Sequence, residues 1–213
     1  MIHPIGRKEL WHAQLVFLIA VILQFTLPKE LRVGDRWTIA ILELILIAGI
    51  GIIAPKRHVS FKGFNRTIAI LLIGVISFAN VTSLWLVING LLNGSDVPGK
   101  HLVTAAFAIF ITNIIAFTLW YWELDSPGLT GVKKHDATPK FDFPQMESKI
   151  KDCADWEPTF SDYLYVSITN ASAFSPTDTM PLTHLVKYIM STQALISLLT
   201  VVLVTARAVN ILG

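Results

Sequence analysis

Five stretches of this chain are each about as long and as apolar as a bilayer demands of a crossing helix. They are roughly Trp11–Leu27, Trp37–Ala54, Thr67–Leu92, Leu102–Trp122 and Leu185–Ile211. A crossing helix needs roughly 20 mostly apolar residues, with about 17–25 tolerated, and it must pair its own backbone because hydrocarbon cannot. The composition agrees: 53% of residues are hydrophobic and 15% charged, with a mean hydropathy of +0.59, whereas a soluble domain carries about a quarter charged residues. The first stretch follows Arg7 and Lys8 as a secretion signal would. No small-residue cleavage site follows it, and Pro28-Lys29-Glu30 lead into the next apolar run, so it reads as a retained helix. Trp11, Trp37, Trp120, Tyr121 and Trp122 stand at the ends of stretches, where amphipathic rings favour the headgroup layer. The chain therefore reads as an all-α integral membrane protein, multi-pass in the cell membrane, with the lipid bilayer as its first partner.

The connectors divide it further. "PKELRVGD", "PKRHVSFKGFNR" and "NGSDVPGKH" are short and rich in turn residues, which makes residues 1–122 a bundle of four antiparallel neighbours. Residues 123–158 form an acidic extramembrane loop rich in Pro, Gly, Asp and Lys. From Glu123 to Asp162 there are nine acids and five lysines, a net charge of −4 and more than half of the protein's 15 acids. Two readings stand for this loop: a solvated connector, or a vestibule that concentrates cations if shaped walls focus its field. The remaining residues, 159–213, form a third unit.

Several function classes find no support. Cys153 is the only cysteine, which excludes an intrachain disulfide and a cysteine-based metal site. His12, His101 and His184 stand at stretch ends without metal-ligand spacing. There is no basic block for nucleic acid, no nucleophile elbow, no HExxH and no phosphate-binding glycine loop. No enzyme activity, cofactor or metal is expected.

The third unit carries the one unusual motif. In "WEPTFSDYLYVSIT", Pro158 suits a first helical turn, Thr159 or Ser161 can cap, and Asp162 lies where the helix dipole favours an acid. The apolar surface of Tyr163, Leu164, Val166 and Ile168 lasts about two and a half turns, too short to span. Non-helical backbone at membrane depth survives only where protein buries it or water wets it. "NASAFSPTD" is thus expected to line a cavity in a re-entrant hairpin ahead of the last span, making five transmembrane helices with one re-entrant helix and loop.

This arrangement resembles the pore domain of tetrameric potassium-channel-type cation channels. Without a gap, Tyr165-Val166-Ser167 falls on the family's aromatic-x-serine, Ser172-Ala173-Phe174-Ser175-Pro176-Thr177 on its filter, Asp178 on the aspartate that follows and Pro181 on the later proline. The likeness covers about 50 of the 213 residues. It implies a homo-tetramer passing monovalent or other small cations, with Asn170, Ser172, Phe174, Ser175, Pro176, Thr177 and Asp178 as the pore or filter-like residues. The hairpin is also similar to a family of uncharacterised bacterial membrane proteins, which implies no activity.

The departures shape the expectation. A potassium filter presents rings of backbone carbonyls, and aiming them inward needs glycine at left-handed positions. Ser175 and Thr177 occupy both glycine positions, and Pro176 fixes φ between them and lacks an N–H. The expected pore is therefore wider, hydroxyl-lined and weakly selective, with an Asp178 ring drawing cations. The other reading is that these hydroxyls and Asn170 only satisfy their own turn. Residues 183–211 contain no hinge glycine, and Thr192, Gln193, Ser197, Thr200 and Thr205 either face a wet axis or bond neighbouring helices.

Glu43, in the middle of the second stretch, is an intramembrane carboxylate. It reads as an ion or proton site, or as a protonated hydrogen-bonding group. Asn80, Thr82, Ser83 and Asn113 read as helix–helix glue. The basic residues of the short loops number six on the N-terminal side and four on the other. That leans toward a cytoplasmic N-terminus, whereas the channel likeness places the N-terminus outside. Alternatives to a channel are a non-conducting protein that uses a pore-domain scaffold for partner binding or sensing, and a small transporter working through Glu43.

Overall fold

The structure is a computed structural model that describes residues 7–28, 31, 62–93, 98–125, 138–147, 156–175 and 178–212. The stretch Trp37–Ala54 with Glu43, the pair Pro176-Thr177, and Cys153 lie outside the described residues. The described chain is mostly helical: α1 (Arg7–Thr26), α2 (Lys62–Leu92), α3 (Gly99–Asp125), a two-residue strand β1 (Phe141–Asp142), a single turn α4 (Pro144–Glu147), α5 (Phe160–Ala173), β2 (Met180–Pro181) and α6 (His184–Leu212).

Among the described residues three helices are long and apolar enough to cross a membrane: Thr67–Leu92 in α2, all of α3, and His184–Ala206 in α6. Their hydroxyl residues fit such a setting. Ser77, Thr118 and Thr200 each donate to the carbonyl four residues back, at 2.8, 2.8 and 2.7 Å. Back-bonding of this kind keeps a polar side chain satisfied where no water is at hand. α1 is a 20-residue helix whose most apolar part is Gln14–Leu23.

α3 is the centre of the molecule. It packs against α1, α2, α5 and α6, and 72% of its most apolar stretch is buried, against 28% for α6. Ala105, Ala106, Ala108 and Ala116 are all buried on it, and small residues of this kind let helix backbones approach closely.

α5 starts and stops on identifiable signals. The Asp162 carboxylate accepts from the Thr159 backbone N–H at 2.7 Å and from its hydroxyl at 2.8 Å, pairing the cap residue with the third helical residue. The helix ends at Phe174, whose φ of 58° and ψ of 20° are left-handed, the usual helix stop but one that normally selects glycine or asparagine.

The acidic connector is not solely a solvated loop. β1 pairs antiparallel with β2, Phe141 opposite Pro181 and Asp142 opposite Met180, and the Leu182 N–H donates to the Lys140 carbonyl at 2.8 Å. Phe141 and Phe143 are buried. Phe141 lies edge-on to Tyr121 and Tyr163 at 5.3 and 6.0 Å between ring centroids, and Phe143 meets Tyr163 and Trp156 at 5.6 and 5.5 Å. The net charge of the loop conceals two aromatic side chains, each with roughly 150–250 Å² to remove from water. Tyr121 and Trp122, expected at the headgroup level, are likewise 0% and 1% exposed beneath this cover.

Candidate functional site

The polar residues of three helices meet in one buried layer. α5 presents Ser167 and Asn170, three residues apart and so on one helix face. α3 supplies Asn113 and Tyr121, and α6 supplies Gln193 and Ser197, four apart. All are buried. Gln193 is the hub. Its amide nitrogen donates to the Ser167 carbonyl at 3.0 Å and to the Ser167 hydroxyl at 2.7 Å. Its amide oxygen accepts from the Tyr121 hydroxyl and from the Asn170 amide, the latter at 2.8 Å. Asn170 also donates to the Met190 carbonyl at 2.9 Å, and Ser167 to the Ile114 carbonyl at 2.7 Å.

Those contacts fix the level of the layer. Ile114 lies eleven residues before α3 ends at Asp125, and Gln193 nine residues after α6 begins at His184. At 1.5 Å per residue these are roughly 14–16 Å along each axis, about half the thickness of a bilayer's hydrocarbon core. Near the end of α3, Asp125 accepts from the Tyr163 hydroxyl at 2.7 Å and from the Lys140 backbone N–H.

Asn113 joins the layer to a cavity. Its amide nitrogen donates to the Ser197 hydroxyl at 2.9 Å and to the Gln193 carbonyl at 3.3 Å. The Gln193 carbonyl can only accept, which fixes which way the Asn113 amide points. Its own oxygen is left buried without a donor, a loss of about 1–3 kcal/mol. Asn113 lines a cavity of about 380 Å³ between α2, α3 and α6, together with Ser77, Asn80, Trp120 and Thr192 among mostly apolar walls. Ser77 and Trp120 are already joined, the indole N–H donating to the hydroxyl at 3.0 Å.

The described residues that the sequence groups as a filter differ in burial. Asn170 is 2% exposed inside the layer. Ser172 is exposed and donates to the Ile168 carbonyl of its own helix at 2.8 Å. Phe174, Ser175 and Asp178 are exposed, and Asp178 accepts from the Thr179 hydroxyl at 3.3 Å. Gln193 and Ser197 bond neighbouring helices, while Thr192, Thr200 and Thr205 each bond the carbonyl four residues back on α6. Among the described residues there is no group of three His, Cys, Asp or Glu able to hold a metal ion.

Sequence reasoning missed Ser167, Tyr121 and Asp125 as partners. The signal was polar spacing: Ser167 with Asn170 at three and Gln193 with Ser197 at four mark one face each of two otherwise apolar helices. Tyr121 carried no such mark, because an aromatic at a span end has the same spelling whether it faces headgroups or a buried amide.

Three helices able to cross a membrane, with a short capped helix seated against two of them, are the features of a helical membrane protein. Compared with known proteins, the chain matches no family model, no curated protein and no solved structure.

Proposed function

We propose that this is a binding or sensing protein of the cell membrane, a multi-pass protein of five spans, in which a pore-like hairpin serves as a sealed structural element and conducts no ions. The stretch Trp37–Ala54 supplies one of the five spans in this reading. α5 re-enters the bilayer and packs at mid-depth, which the level of Ser167 and Gln193 supports. The single observation that carries the proposal is the closure of the Asn170 amide by Gln193, Met190 and Tyr121 at 2% exposure. A residue held by its amide nitrogen among protein acceptors and 2% exposed is not turned toward a wetted passage.

Thiol labelling tests this. In a Cys153→Ser background, Asn170→Cys is expected to resist membrane-impermeant thiol reagents over hours. Ser161→Cys, exposed at the start of α5, is expected to label in minutes. Rapid labelling of both, in protein shown to be folded by its unfolding midpoint, removes the sealed hairpin.

A second reading is a weakly selective cation pore built as a homo-tetramer in the manner of potassium channels. It is favoured by the exposure of Ser172, Ser175 and Asp178 around the C-terminal end of α5, where the helix dipole is negative and attracts cations. In planar bilayers this reading requires discrete currents whose conductance or cation preference changes in Asp178→Asn. The sealed reading expects none.

A further inference from the structure

We infer that the cavity between α2, α3 and α6 is a site for a neutral, single-chain amphiphile with a hydroxyl head, a long-chain alcohol drawn from the bilayer. The inference rests on the binding or sensing reading and names its ligand class.

The walls set the body of the ligand. Phe117, Ile189 and Ile196 give apolar surface, and about 380 Å³ is within the usual range for small-molecule sites. The opening sets its route: Val81, which is 46% exposed, stands at the rim, and Phe78 and Trp85 are exposed on the same helix. These face hydrocarbon if α2 spans, so entry is lateral.

The polar groups set the head. Asn113 contributes a carbonyl oxygen with no donor, which at 0% exposure a head group reaches only when the side chain shifts. Asn80, 5% exposed, lines the same cavity and makes no hydrogen bond to a described residue. An amide oxygen lacking a donor on one wall, and on another an amide that can give and accept, match a head that donates one hydrogen bond and takes one. Among the described residues no charged one lines the cavity, so a carboxylate or ammonium head finds no described partner there and is disfavoured. A plain alkane would leave both amides unanswered.

Trp120 lines the cavity and reports on it. In nanodiscs of unbrominated lipid, a terminally brominated straight-chain alcohol is expected to quench Trp120 fluorescence saturably, and excess unbrominated alcohol to reverse it. The Trp120→Phe variant should lose that component. The brominated alkane of equal length, and the alcohol tested on Asn80→Leu, should each bind at least ten-fold more weakly. Val81→Phe, which narrows the rim without touching the polar layer, should remove saturable quenching. Quenching that rises linearly with concentration, or is equal for alcohol and alkane, overturns the site. The thiol-labelling result is independent: a labelled Asn170→Cys with saturable quenching retires the sealed hairpin and leaves the site, and the reverse pair of results does the opposite.

Discussion

At the scale of single residues, Gln193 holds most of the layer together. Its amide gives two hydrogen bonds and takes two, and no side chain of another type offers that pattern at that reach. Gln193→Leu leaves the Tyr121 hydroxyl and the Asn170 amide short of an acceptor in a region closed to water. The expected loss is about 1–3 kcal/mol, smaller than a soluble core would show because an unfolded chain in lipid also finds partners. A lowered unfolding midpoint in nanodiscs, with unchanged helicity, checks it. Phe174 makes the opposite case. Its left-handed backbone costs about 1–2 kcal/mol, and its ring is 40% exposed. Phe174→Gly is expected to hold the stability or raise it by up to about 1 kcal/mol, and a clear fall in the unfolding midpoint would assign the ring a contact that outweighs the strain.

At the scale of elements, helices were legible and their partners were not. α6 runs His184–Leu212 where apolar length predicts Leu185–Ile211, because hydrocarbon thickness sets the number of residues in a span. Thr159 and Asp162 announced the start of α5 because capping is a local event. The seating of α5 depends on Ser167 meeting Gln193, 26 residues away, and no local pattern carries that. The strap from the acidic connector was hidden for a different reason: charge counts average over a segment, while Phe141 and Phe143 act as individuals. Phe141 touches Tyr121, Tyr163 and Phe143, so Phe141→Ala is expected to cost about 3–5 kcal/mol. Its signature is early loss of near-ultraviolet aromatic ellipticity, ahead of any loss of helix.

At the scale of the whole molecule, the open face of α6 decides assembly. Leu195, Leu198, Leu199, Val201 and Val202 are all at least 40% exposed. The hydroxyls between and beside them bond their own helix: Ser191 donates to the Lys187 carbonyl, Thr192 to Tyr188 and Thr205 to Val201. Such a face presents hydrocarbon-compatible groups, so lipid can cover it as another copy could. The sealed-hairpin reading expects one 23.6 kDa chain per particle by native mass measurement in nanodiscs, and a four-chain particle would favour the pore.

The short ladder between Phe141–Asp142 and Met180–Pro181 has a consequence for sidedness. It ties the end of α3 to the beginning of α6, so these two helices run in opposite directions from one shared rim. Since α2 ends at Leu92 and α3 begins at Gly99, the beginning of α2 belongs to that rim as well. The polar ends of α2, α3 and α6 are thus assigned to one of two compartments by a single binary fact. Locating the Asp178 carboxylate inside or outside a sealed vesicle gives the address of all the others.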